Sequence, residues 1–248
     1  YYRIMKNYKE WLLYEKYTHK ELDNRFWKNG KFDESIRDKL IKISDEFVET
    51  LPINLDIEDI KLTGSIANYN YTKDSDLDLH IIVDYDKIEE KEEVLSDLFS
   101  SKGFIWNLKH DINMRGADVE IYIQDINEPH QSTGTYSILN NKWIKKPTYT
   151  DPDVDDNLVN KKYNKWVYTI SKLIDKVEDD VDEEEWERYY KLAEKLKDKL
   201  KEFRTKGLHE GEGEFSVENI VYKKLRNNGF IDKLYDSYYD FYDNMYSQ

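Results

Sequence analysis

Three observations predict an α+β fold for this chain. Apolar residues recur at three-to-four spacing before Pro52 and again from Leu158 onward. From Asp59 the period switches to two, and short strands run as far as Lys145 with one amphipathic helix among them. Pro147, Asp151, Pro152 and Asp153 interrupt both patterns and mark a boundary. The expected organisation is one domain over residues 1–150, helical at its start and strand-bearing in its middle, and a helical domain over residues 151–248.

The first 50 residues read as helices. Ile36, Leu40, Ile41, Ile43, Phe47, Val48 and Leu51 lie on one helical face behind a cap at Asp33, and Pro52 closes the helix. A short strand follows at Ile60-Lys61-Leu62-Thr63 and runs into Gly64-Ser65, where a helix is expected to start. A second strand spans Asp76 to Asp84, an amphipathic helix carries Val94, Leu95, Leu98 and Phe99, and a third strand spans Asp118 to Gln124. Thr135–Leu139 and Lys142–Lys145 flank Asn140-Asn141, a hairpin whose turn tolerates positive φ.

Beyond the boundary, Leu158, Val159, Tyr163, Trp166, Val167, Ile170, Leu173, Ile174 and Val177 form one apolar stripe. A second runs from Trp186 through Phe203 to Gly207, which reads as a C-cap. A helix opening at Ser216 and ending near Gly229 and a Tyr-rich helix complete the pattern.

Composition excludes several classes. Without cysteine there is no disulfide framework and no thiolate zinc site, so carboxylates and histidines are left as metal ligands. No apolar run approaches the roughly 20 residues of a spanning helix, and Tyr1-Tyr2-Arg3-Ile4 lacks a signal-peptide layout. A soluble, cytoplasmic chain is expected, with no membrane partner. A net charge of −14 argues against duplex DNA, whose sequence-independent binding is driven by many Lys and Arg on phosphates. A local basic patch, Lys142, Lys145, Lys146 and Lys161, mildly favours an RNA end or a nucleotide as a partner. The 21 tyrosines are expected to pack rather than to stack bases.

The chemistry is concentrated in two strands. In Asp76-Leu77-Asp78-Leu79-His80-Ile81-Ile82-Val83 the alternation puts Asp76, Asp78 and His80 on one face. Asp118 and Glu120 share one face of the third strand in the same way. Unpaired carboxylates side by side repel each other, an arrangement that a divalent cation neutralises. Mg²⁺ or Mn²⁺ accepts such hard oxygens and leaves positions for substrate phosphates. At Gly64-Ser65 a glycine lets the backbone approach phosphate and a hydroxyl binds it, so the parts converge on a nucleoside triphosphate.

Leu62-Thr63-Gly64-Ser65, a ten-residue gap, Asp76-Leu77-Asp78-Leu79 and the later Val119-Glu120-Ile121 together resemble the DNA polymerase β-like nucleotidyltransferase superfamily. The resemblance covers residues 58–125. It implies a mixed sheet with flanking helices, and a catalytic domain over residues 1–150. It also implies Mg²⁺-dependent transfer of a nucleoside monophosphate, such as AMP from ATP, to a hydroxyl with loss of pyrophosphate. By the same resemblance Gly64 and Ser65 contact phosphates, Asp76 and Asp78 bind both metals, and Glu120 is the third ligand and helps activate the acceptor. The superfamily more often has Asp at the third position, and Asp118 is the rival, although Glu120 stands between Val119 and Ile121 where the sheet should hold it. Such folds often supply a triphosphate-binding lysine early in the following helix, and Lys162, flanked by Lys161 and Lys165, is the candidate.

More loosely, Gly213 to Asn219 with Asn227-Asn228-Gly229, and the block Asp125 to Trp143, resemble nucleotidyltransferase-like proteins of tailed phages, which would place the chain in a host cytoplasm. Other readings stay beside these. His80 fits a histidine bonded to a neighbouring carboxylate, Asn68 and Asn70 fit base contact or loop building, and His130-Gln131-Ser132-Thr133-Gly134 fits a substrate loop. A nucleotide-binding regulatory module without turnover and pyrophosphoryl transfer to a guanine nucleotide are the competing functions.

Overall fold

The structure is a computed structural model that describes residues 18–129, 132–177, 183–210 and 213–247. The helix expected in the first 17 residues lies outside the described residues, as does the Tyr1-Tyr2-Arg3-Ile4 segment. The chain divides into two compact units, Tyr1–Asp151 and Pro152–Gln248. The fold is mixed: a six-stranded sheet and, among the described residues, six α-helices. No helix among the described residues is long and apolar enough to cross a membrane.

The first described stretch is not helical. Trp27–Lys28 (β1) and Lys31–Phe32 (β2) form an antiparallel hairpin. Asn29 and Gly30 turn it, with φ of 54° and 75°, the pair of positive values that a two-residue turn matching the strand twist requires. Helix α1 (Glu34–Glu49) then starts where Asp33 accepts from the Ser35 and Ile36 amides, and it ends at Thr50, two residues before Pro52.

The sheet has the order β5-β6-β4-β3-β7-β8. Its strands are β3 (Asp59–Leu62), β4 (Leu77–Val83), β5 (Asn113–Met114), β6 (Ala117–Asp125), β7 (Thr135–Ser137) and β8 (Lys142–Lys145). Every pairing is antiparallel except β4 with β6. Parallel neighbours need a crossover, which helix α2 (Glu92–Lys109) supplies. Between β7 and β8 the turn residue Asn141 has φ of 52°.

The core gathers Ile60, Leu62, Leu77, Leu79, Ile81, Val119 and Ile121 from the sheet with Leu40 and Phe47 of α1 and Leu95 and Phe99 of α2. Alternation therefore commits the opposite face of β3, β4 and β6 to polar side chains. Helix α2 also closes the outer edge of β6. Asn107 donates to the Ile121 carbonyl at 3.1 Å and accepts from the Ile121 amide at 3.0 Å, taking the place of a neighbouring strand.

The second unit is helical: α3 (Asp156–Ile174), α4 (Glu183–Glu210), α5 (Val217–Asn227) and α6 (Phe230–Tyr246). Asp155 caps α3 and Ser216 caps α5. Gly207 does not end a helix as the sequence predicts, because α4 continues to Glu210. The glycine serves close approach instead: a Cβ there would lie 2.5 Å from the Glu218 Cβ and 2.6 Å from the Ser216 hydroxyl. Tyrosines pack against one another, as where Tyr190 stacks on Tyr238 at 4.8 Å with their hydroxyls 2.7 Å apart.

Asn107→Ala should leave both Ile121 backbone groups without a protein partner and cost about 1–3 kcal/mol. Chemical denaturation should show a lower midpoint with unchanged slope, and an unchanged midpoint would mean that water satisfies that edge.

Candidate active site

Strand register brings the predicted acids together. β4 and β6 pair with Leu77 opposite Val119, Asp78 opposite Glu120 and His80 opposite Tyr122. Asp78 and Glu120 thus stand side by side on the polar face, both half-buried. Asp76 lies immediately before β4, also half-buried. Asp118 is exposed and engaged in the β5–β6 hairpin, where it accepts from the Asn113 amide at 2.6 Å. The two candidates for the third acid therefore differ: Glu120 faces Asp78, whereas Asp118 pairs in register with Asn113.

Gly64 backs onto this pair. Its φ is 70°, and a Cβ at that position would lie 1.9 Å from the Asp78 carboxylate Oδ2. Thr63 donates its amide to the Asp78 carbonyl at 3.1 Å, so the residue before the glycine is tied to the acid-bearing strand. The segment after Gly64 is a series of turns, closed by the Asn68 amide on the Ser65 carbonyl at 3.1 Å. The helix start expected there is absent, so no free helix amides point toward a phosphate at this position. Ser65 donates its hydroxyl to Ser75 at 2.8 Å, and Ser75 in turn accepts from the Thr72 amide at 2.8 Å.

The loop from Ser65 to Asp76 is braced from outside. Arg25, held by Asp23 at 2.7 Å, donates to the Thr72 and Lys73 carbonyls, each at 3.1 Å. His19 stacks on Tyr71 at 4.0 Å. Asn68 and Asn70 are buried, and Asn68 bonds Thr133 and accepts from the Tyr69 amide. Their burial and the Asn68 bonds place them in the build of the loop. Of the His130–Gly134 stretch, His130 and Gln131 lie outside the described residues. Gly134 packs so closely that a Cβ would meet the Ala67 carbonyl at 1.9 Å.

Three residues on the polar face carry no signal in the motif. Tyr122 donates its hydroxyl to Glu120. Its hydroxyl is held well above the ordinary phenol range by burial, by that bond and by the charges of Glu120, Asp78 and Asp76. One hydroxyl thus senses all three acids. His80 donates from Nδ1 to the Gln124 side-chain oxygen at 2.9 Å, so an amide and not a carboxylate partners that nitrogen. Lys61 stands opposite His80 on β3, half-buried, and its side chain makes no hydrogen bond or ion pair among the described residues. Alternation along β3 and β6 was sufficient to put Lys61 and Tyr122 on this face.

The remaining predicted residues fall elsewhere. Lys142 and Lys145 are exposed on β8, and Lys145 donates to the Ser132 carbonyl at 3.1 Å. Lys161 and Lys162 belong to α3 of the second unit. Lys162 is ion-paired with Glu218 there, and its ammonium lies 5.7 Å from the Phe203 ring centre.

Among the described residues no three acidic or histidine side chains converge as a complete metal cage. What the polar face offers is a part-set of hard oxygen donors, suited to Mg²⁺ because that ion keeps several positions for water or phosphate. Compared with known proteins, the chain matches no family model, no curated sequence and no solved structure.

Two substitutions test this geometry. Asp78→Asn should raise the metal-free melting temperature by roughly 2 °C, since it removes one of two facing charges. Gly64→Ala should lower it and displace the Asp78 carboxylate, because a Cβ has no room and the backbone is left-handed. Thermal melts in EDTA read both, and a fall for Asp78→Asn would show that the carboxylates are held by attraction.

Proposed function

We propose that the polar face of the first unit is the active site of a nucleotidyltransferase that transfers a nucleoside monophosphate from an NTP to an acceptor hydroxyl. The observation that carries the reading is the register of Asp78 against Glu120, with Gly64 excluded from bearing a side chain by the Asp78 carboxylate. The six-stranded mixed sheet supports it as the polymerase β-like scaffold that the motif resembles.

In this reading Asp76, Asp78 and Glu120 hold Mg²⁺ or Mn²⁺, which would neutralise the acids and polarise the phosphates. The residues of the chain do the rest. Gly64 lets the Asp78 carboxylate lie against the backbone beside the proposed triphosphate site, Ser65 offers a hydroxyl bonded to Ser75, and Lys61 supplies a cation that no carboxylate among the described residues pairs. Glu120 takes the proton of the acceptor hydroxyl as its oxygen bonds the α-phosphorus. The bond from the α-phosphorus to the bridging oxygen breaks, and pyrophosphate leaves. An RNA 3′ end or a second nucleotide is the favoured acceptor.

A nucleotide-binding module without turnover is the second reading, favoured by the bond that engages Glu120 with Tyr122. Tyr122→Phe separates the two. Pyrophosphate release should persist or rise in that variant under the transfer reading, and no variant should release any under the other.

Two further outcomes follow from the metal-bridged site. An NTP with Mg²⁺ should raise the melting temperature of the protein, and EDTA should abolish the gain. Glu120→Gln should lower single-turnover rates by orders of magnitude with little change in nucleotide affinity, while Asp118→Asn has a milder effect. The reverse ranking would transfer the third role to Asp118.

A further inference from the structure

The second unit contains a cleft of about 440 Å³ between α3 and α4. The two helices touch each other little, because each packs mainly against α5 and α6. Spacing sets what lines the walls. On α3, Lys162, Lys165 and Trp166 recur at three and four residues, and on α4 Lys199, Phe203 and Lys206 do the same. Leu196 is buried at the base, and Glu202 is the one acid among the lining residues.

This is an unusual place in a chain of charge −14: four lysines line it with one glutamate, Glu202, around two aromatic rings, and Glu218 beside it pairs with Lys162. Trp166 and Phe203 meet edge to face at 5.5 Å, and both are half-buried, so part of each ring faces the cleft. Lys165 and Lys199 are exposed and make no ion pair among the described residues. Two free cations on opposite walls attract an anion that runs between the helices.

We infer that this cleft binds single-stranded nucleic acid, with its phosphates on the lysines and a base against Trp166 and Phe203. The inference goes beyond nucleotidyl transfer and needs only the second unit. A strand fits better than a free nucleotide because the cations are spread out: Lys199 and Lys206 alone are about 10 Å apart along α4. One triphosphate would call for convergent cations. An acidic peptide would use the lysines but leave the ring pair without a planar partner.

The test is fluorescence anisotropy of a short labelled oligo(U) with the full chain in EDTA and without NTP, so that the metal-dependent chemistry plays no part. The wild type should bind at low salt. Lys165→Ala/Lys199→Ala should bind about tenfold more weakly and lower the slope of log affinity against log salt by about 1.4, two phosphate contacts at about 0.7 each. Both lysines are exposed, so an unchanged melting temperature should certify the fold of the variant. No binding by the wild type, or an unchanged affinity and slope in the folded double variant, overturns the inference. Displacement of oligo(U) by UMP at equal nucleotide concentration, or by polyglutamate at equal charge concentration, overturns it in favour of a nucleotide pocket or a peptide groove.

Discussion

The parallel pairing of β4 with β6 is the constraint on which the site in the first unit depends. Side chains alternate along both strands, so a slip of one residue would carry Glu120 to the core face and Ile121 to the polar one. What fixes the register is the crossover. Gly103 of α2 approaches so closely that a Cβ would lie 3.2 Å from the Ile121 carbonyl, and Asn107, one turn later, bonds both Ile121 backbone groups. The helix that buries Leu95 and Phe99 therefore also sets which acids face each other. Packing and chemistry are coupled through one segment.

Facing carboxylates carry an electrostatic cost. Burial first, then the bond to Glu120 and the charges of Glu120, Asp78 and Asp76, hold the Tyr122 hydroxyl above its ordinary range. Tyr122 meets one of these charges with a neutral donor, its hydroxyl on Glu120. Lys61 is close in register yet claimed by none of the acids.

The strands of the acid-bearing face were legible because alternation is a strong signal when one face is core. Ile60 to Thr63, Asp76 to Asp84 and Asp118 to Gln124 overlap β3, β4 and β6 to within one residue or so. The errors share a cause. Asn29-Gly30 is a hairpin signal just ahead of the apolar period of α1, which masks it, and the two-residue strands beside it are too short for periodicity to register. Ser65 was read as a helix start by its position after a strand, although no apolar period follows it. Gly207 was read as a cap because glycine usually ends a helix, while here tertiary packing against Ser216 and Glu218 decides. Contacts between distant segments, such as Arg25 on Thr72 or Tyr122 on Glu120, leave no local trace at all.

Net charge is a weak guide to partners when charge is segregated. The value of −14 describes the chain, but a ligand meets local fields within a Debye length of about 8 Å at physiological salt. Over that distance the polar face of the first unit is acidic and the α3–α4 cleft of the second is basic. The first is suited to cations and what cations carry, the second to phosphates directly. Duplex binding, which sums many contacts over a broad surface, feels the average and is opposed by it. A single strand lying in a narrow cleft feels mainly the four lysines beside it, and so escapes the penalty that the whole-chain charge would suggest.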